Sequence, residues 1–165
     1  MHGAGAGPIA KIRPLSMLGR LADSGTCVDV GRHPEAGPSP GLLIFQPRGI
    51  LLFADANRIR NRLPELVKPT GKPLQAVLIN LEASPEIDVT SLEIVDQLRS
   101  ELEESDVALH FARVSDEAQD LFRRRLFRER LGQDHVFRGV DVAANAFLNR
   151  SVTAAPQVPL EPTRA

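Results

Sequence analysis

Between Gln75 and Arg113 the chain sets a short apolar run, an amphipathic stretch and a second short apolar run in succession. The run from Gln75 to Leu81, centred on Val77-Leu78-Ile79, predicts a buried strand. Val89, Leu92, Val95, Leu98 and Leu102 then recur every three or four residues, which predicts an amphipathic helix over about 89–105. Val107 to Arg113 predicts the next strand. A strand or sheet buries one face only by packing on another layer, so this alternation implies a sheet covered by helices.

The flanking segments extend the pattern. Leu42-Leu43-Ile44-Phe45 and Ile50-Leu51-Leu52-Phe53 are apolar runs separated by Gln46-Pro47-Arg48-Gly49, which has the chemistry of a hairpin loop. Ala56, Ile59, Leu63, Leu66 and Val67 have helical spacing within 55–68, with Pro64 kinking or splitting the helix. Ser115 is an N-cap residue for a helix running to Arg130. His135-Val136-Phe137 forms a short run, and Asp141 is expected to cap a last helix through Ala146, Phe147 and Leu148. Residues 1–40 are rich in Gly and Pro and read as an extended leader or linker, with Val28-Asp29-Val30 available as a short edge strand. Residues 41–149 form one domain, and 150–165, with Pro156, Pro159 and Pro162, a frayed tail. The expected architecture is α/β: a mixed sheet of four to five strands with about four helices.

Composition excludes several classes. With 20 basic and 21 acidic residues, no overall field holds a nucleic-acid backbone, and the absence of Trp and Tyr removes the usual stacking platforms for single strands. No nucleic-acid partner is expected. The apolar stretch from Leu42 to Phe53 is interrupted by Gln46, Pro47 and Arg48 and falls short of the roughly 20 residues a membrane span needs, so no direct membrane insertion is expected. The first twenty residues carry no apolar h-region, and the expected localisation is cytoplasmic. Cys27 cannot pair with a second cysteine, and with four scattered histidines it does not complete a structural zinc site. We find no Gly-rich phosphate loop, Gly-x-Ser-x-Gly elbow or His-Glu-x-x-His, so no enzyme is expected and no metal or cofactor is called for.

The segment that carries functional information runs from Val77 to Leu92. Asp88, Thr90 and Ser91 are all N-cap-type residues at the start of the helix, where free backbone N–H groups gather. The simplest role is capping. The alternative is a phosphate-accepting or anion-sensing corner, because a helix N-terminus favours negative charge. From Glu82 to Asp106 nine acidic residues face one base, Arg99, a net of −8. Five arginines, Arg123, Arg124, Arg125, Arg128 and Arg130, cluster further on, interrupted by Glu129. They read first as a solvated helical face, and otherwise as a contact for the acidic helix of another copy, a lipid headgroup or a nucleotide phosphate. His110, between Leu109 and Phe111, reads as a hydrogen-bonded core or face-alternating histidine, and Cys27 as an inert thiol.

The order of elements, together with Ile87-Asp88-Val89-Thr90-Ser91, resembles the STAS domain shared by bacterial anti-sigma factor antagonists and SulP sulfate and anion transporters. The SulP branch is the nearer resemblance, through Leu18-Gly19-Arg20, Arg32-His33-Pro34-Glu35-Ala36, Pro40-Gly41-Leu42-Leu43-Ile44-Phe45, Leu52-Phe53-Ala54-Asp55-Ala56-Asn57 and Arg130-Leu131-Gly132-Gln133-Asp134-His135-Val136-Phe137. The resemblance implies a mixed sheet flanked by helices, no catalysis, and a regulatory or interaction role, with a membrane anion transporter or another protein as partner. It also implies a site. The phosphorylated hydroxyl of the antagonists falls on Thr90, beside Asp88 and Ser91, and by analogy with transporter STAS domains Asp55, Asn57, Asn80, Asp88 and Thr90 are candidates for binding an anion or nucleotide. Ser91 stands where antagonists usually carry Gly, Asp55 where Asn is usual, Asn80 where Asp is frequent, and Leu126 where a Gly is usual. SulP proteins carry membrane helices before this domain, whereas the resemblance here begins about ten residues after Met1, so a free-standing domain or a transporter fragment is expected. Three functional expectations result: a regulatory module at the cytoplasmic face of a membrane transporter, a soluble antagonist switched at Thr90, and a nucleotide-sensing domain.

Overall fold

A computed structural model of the chain describes residues 15–48, 57–58, 60–61 and 73–153. Among the described residues six strands form one sheet: β1 (Leu15–Arg20), β2 (Cys27–Asp29), β3 (Leu42–Pro47), β4 (Ala76–Asn80), β5 (Ala108–Ala112) and β6 (Val136–Phe137). Besides the helical residues at 57–58 and 60–61, four helices are described, α1 (Val89–Glu104), α2 (Asp116–Arg124), α3 (Phe127–Leu131) and α4 (Val140–Thr153), with a 3-10 turn at Gln133–His135. The strand order is β2-β1-β3-β4-β5-β6. β1 runs antiparallel to both β2 and β3, while β3, β4, β5 and β6 are mutually parallel neighbours. The sheet is therefore mixed, and it has more strands than expected: residues 15–20, read as leader from sequence, form a strand within it, while the short edge strand available at 28–30 is present as Cys27–Asp29.

The central strands follow from composition. β4 is flanked on both edges and covered on both faces, and all five of its residues are buried, which is why it reads as a continuous apolar run rather than an alternation. One face packs Phe45, Val77, Ile79, Leu109 and Phe111 against Leu92, Val95, Leu98 and Leu102 of α1. Three phenylalanines close this layer edge to face, Phe111 on Phe122 at 5.5 Å, Phe111 on Phe127 at 6.0 Å and Phe122 on Phe127 at 4.8 Å. The other face packs Ile44, Ala76, Leu78 and Ala112 against Ala143 and Ala144, whose small side chains bring α4 close to the sheet.

Three expectations change. The stretch from Ser115 to Arg130 is two helices, because Leu126 takes a left-handed conformation (φ 54°, ψ 20°) and breaks the hydrogen-bond ladder between α2 and α3. Asp141 lies inside the first turn of α4 rather than capping it: the first helical bond runs from the Ala143 N–H to the Gly139 carbonyl, and the Asp141 carboxylate accepts the Cys27 N–H at 2.9 Å, fastening the edge strand β2 to the helix. The expected hairpin partner Ile50–Phe53 and most of the expected 55–68 helix lie outside the described residues, while both edges of β3 are taken by β1 and β4. Gly41 (φ 76°) makes the turn into β3, and its carbonyl accepts from the N–H groups of Gln75 and Ala76, which sets the register of the next strand.

Candidate functional site

Parallel strands deliver their helices from the carboxyl ends, so the C-termini of β4 and β5 and the N-termini of α1 and α2 meet at one end of the sheet. Asp88, in extended conformation (φ −89°, ψ 170°), is the N-cap of α1 and accepts the Ser91 N–H at 2.7 Å. Hydrogen bonding from the Ser91 backbone first, and from its side chain second, holds the Asp88 carboxyl below the usual carboxylate range. Thr90, on the first turn, is exposed, whereas Ser91 is only 3% exposed and faces the core. Of two adjacent hydroxyls at the corner, one is open to a partner and the other is inside the fold.

Asn80 ends β4 and is 2% exposed. Its Nδ2 donates to Gln46 Oε1 at 3.2 Å and its Oδ1 accepts the Glu82 N–H at 3.3 Å, so the amide joins β3 to the loop that leads toward Asp88. Ser115 caps α2 by accepting the Ala118 N–H at 3.2 Å and donates its hydroxyl to the Pro85 carbonyl at 2.6 Å. Glu82 and Arg113 approach to 3.7 Å across the same loop. The structure thus brings Asn80, Asp88, Thr90 and Ser91 to one corner. Asn57 is half-buried in a helical stretch, and Asp55 lies outside the described residues. Reading the sequence missed the bonds of Gln46 and Ser115 to this loop; the signal for Gln46 was its place beside Asn80 once β3 pairs with β4 in the Phe45 to Ile79 register.

The acidic run of 82–106 is more compensated, by Arg99 within it and by arginines from elsewhere in the fold, than its composition implies. Asp96 pairs with both Arg99 and Arg130 at 2.8 Å, Arg99 reaches Glu103 at 2.7 Å, and Arg60 reaches Glu101 at 2.6 Å. Glu86, Glu93, Glu104 and Asp106 are exposed and make no ion pair among the described residues.

Two other groups bear on chemistry. The Cys27 thiol is pushed up to about 12, by burial first and then by the Asp141 carboxylate, which keeps it protonated and unreactive. His110 is 8% exposed, its ring lies 4.4 Å from that of His135 and 5.7 Å from Phe137, and its Nδ1 has no hydrogen-bond partner among the described residues. The sequence predicts a hydrogen-bonded core or face-alternating histidine there; the ring is buried as a core histidine, with Nδ1 left without a hydrogen bond among the described residues. Burial, and then the charges of His135 and Arg150, push it down to about 4, so it is neutral near pH 7. Among the described residues no cluster of three or more His, Cys, Asp or Glu side chains could hold a metal ion, and no helix is long and apolar enough to cross a membrane.

Comparison with known proteins places this fold. The family model described as the STAS domain matches residues 33–143, and the chain belongs to that family. A probable sulfate transporter of Mycobacterium tuberculosis is 30% identical over 135 residues, 82% of this chain and 24% of that protein. The chain therefore spans about a quarter of that relative's length (24%). The STAS domain of a SulP transporter from Vibrio cholerae superimposes with a TM-score of 0.62 at 14% identity, covering 75% of this chain and 94% of that one. A sulfate transporter family protein from Wolinella succinogenes gives a TM-score of 0.58 at 22% identity, covering 74% of this chain and 99% of that one. The mixed sheet with its helical layers is thus the STAS fold, similar to the STAS domains of SulP sulfate transporters.

Proposed function

We propose that this STAS domain is a non-catalytic regulatory and interaction module of anion transport, acting in the cytoplasm on a membrane anion transporter. The observation that supports this reading most is the division of labour at the Asp88 corner. Asp88, Ser91, Asn80 and Ser115 are committed to building it, while Thr90 and the carboxylates of Glu86 and Glu93 face outward. Such a corner offers a fixed surface to a partner and no reacting group. The similarity to sulfate transporter domains supports a transporter as the class of partner. Uptake of labelled sulfate, compared between cells containing and lacking the full chain at equal transporter levels, tests it. A change in uptake is expected, and identical uptake argues against the proposal.

A second reading rests on one observation, the exposure of Thr90 beside the buried Ser91. In it the corner is a phosphorylation switch, as in anti-sigma factor antagonists, and a phosphate adds about −1.5 to −2 of charge at a helix N-terminus that tolerates it. Phosphate on Thr90 in cells, and altered partner binding by Thr90→Ala, support this reading. Absence of both removes it.

A further inference from the structure

We propose that the turn between α2 and α3 is a peripheral docking surface for an anionic lipid bilayer, with Leu126 at the headgroup boundary and Arg124 and Arg125 on lipid phosphates. The stretch from Arg123 to Arg130 holds five arginines and one acid. The fold uses three of them: Arg123 bonds Asp120, Arg128 donates to the Gln133 carbonyl at 2.9 Å, and Arg130 pairs with Asp96 at 2.8 Å. Arg124 and Arg125 are exposed and make no ion pair or side-chain hydrogen bond among the described residues.

Next to them stands Leu126, 61% exposed, the most exposed large hydrophobic residue described. Its φ of 54° is a conformation in which a leucine is strained relative to glycine. Its backbone is fully engaged, the N–H to the Arg123 carbonyl and the carbonyl to the Arg130 N–H, so the turn is built by the main chain and the interior makes no use of the side chain. An exposed apolar residue in a strained conformation, flanked by free guanidinium groups, points outward to a ligand.

The chemistry fits a bilayer. Guanidinium forks bind phosphate oxygens, an anionic leaflet attracts each arginine by roughly fivefold in affinity, and an apolar side chain finds the acyl boundary immediately beneath the headgroups. An acidic protein satisfies the arginines equally well but seats Leu126 only by providing a fitted pocket. Neither the cavity lined by Leu78, His110 and Phe147 nor the one lined by Leu109, Arg130 and His135 takes in Arg124, Arg125 or Leu126. The contact needs no spanning segment.

Sedimentation of the full chain with phosphatidylcholine vesicles, with or without a third of phosphatidylglycerol, tests the proposal. The chain is expected to pellet with the acidic vesicles alone and to be released by high salt. Reversing both charges (Arg124→Glu with Arg125→Glu) is expected to lower partitioning by more than about tenfold. Leu126→Gly, which relieves the turn and so preserves the fold, is expected to lower it by roughly threefold to tenfold. A wild-type chain that stays in the supernatant overturns the proposal, as does a Leu126→Gly chain that partitions like wild type. Binding to polyglutamate as tight as binding to acidic vesicles, and insensitive to Leu126→Gly, assigns the surface to an acidic protein and also overturns it.

Discussion

The hydroxyl of Ser115 donates to the carbonyl of Pro85 at 2.6 Å while accepting the Ala118 N–H, so the residue that caps α2 also pins the loop leading into α1. One side chain therefore holds the starts of both helices at the corner where Thr90 is displayed. Ser115→Ala removes the cap and leaves the Pro85 carbonyl without this donor, and we expect a loss of about 2 kcal/mol. Thermal unfolding should shift down by about 4–8 °C, with faster amide exchange over 82–88 as the local signature.

The two hydroxyls on the first turn of α1 should respond oppositely to a carboxylate. Thr90→Glu places a negative charge at an exposed helix N-terminus and is expected to leave stability unchanged or raise it by a few tenths of a kcal/mol. Ser91→Glu forces a carboxylate into a 3% exposed position against the core and is expected to cost about 3 kcal/mol or more. Asp88→Ala, which removes the cap, should cost about 1 kcal/mol. Because the Asp88 carboxyl is held below its ordinary value of 3.8, the part of its contribution that depends on ionisation is present above that pH and is lost below it, as the pH falls through the lower value of the folded chain. Chemical denaturation of the three variants checks the order.

His110 predicts acid sensitivity. Its pKa is depressed from 6.5 to about 4 in the folded chain, so the unfolded chain takes up the proton first on acidification. Stability is then full above about pH 6.5 and declines toward pH 4, by about 1–2 kcal/mol at pH 5. His135 and Arg150 face the ring, and neither offers a negative charge to compensate. His110→Phe, which cannot protonate, should flatten this part of the pH dependence in denaturant titrations.

Leu126→Gly is expected to raise stability by about 1 kcal/mol, because glycine adopts the left-handed turn without strain and the lost side chain packs on little. A higher thermal midpoint for this variant checks the turn geometry independently of any ligand.

The central part of the fold was legible because its elements declare their period locally. β4, α1 and β5 combine short, mainly apolar runs with a 3–4 residue repeat, and their observed bounds fall within a residue or two of those expected. β1 was not, since Leu15-Ser16-Met17-Leu18-Gly19-Arg20 lies in a Gly- and Pro-rich region and is held as a strand by pairing with β2 and β3, a tertiary effect. The break at Leu126 was hidden in the residues themselves because no Gly or Pro marks it, and only the resemblance, which places Leu126 where a Gly is usual, hints at a left-handed turn there. At the corner, the capping residues were readable from their types and spacing. The Ser115 to Pro85 and Asn80 to Gln46 bonds were not, because they join residues 30 and 34 positions apart.

Affinity capture of the tagged full chain from its native cells in mild detergent, with mass spectrometry of the retained proteins, tests the central proposal most directly. A membrane anion transporter enriched with the wild-type chain, and diminished with a Thr90→Glu variant, is the result our reading predicts. Retention of soluble proteins alone, with the transporter present in the cells but absent from the eluate, would contradict it.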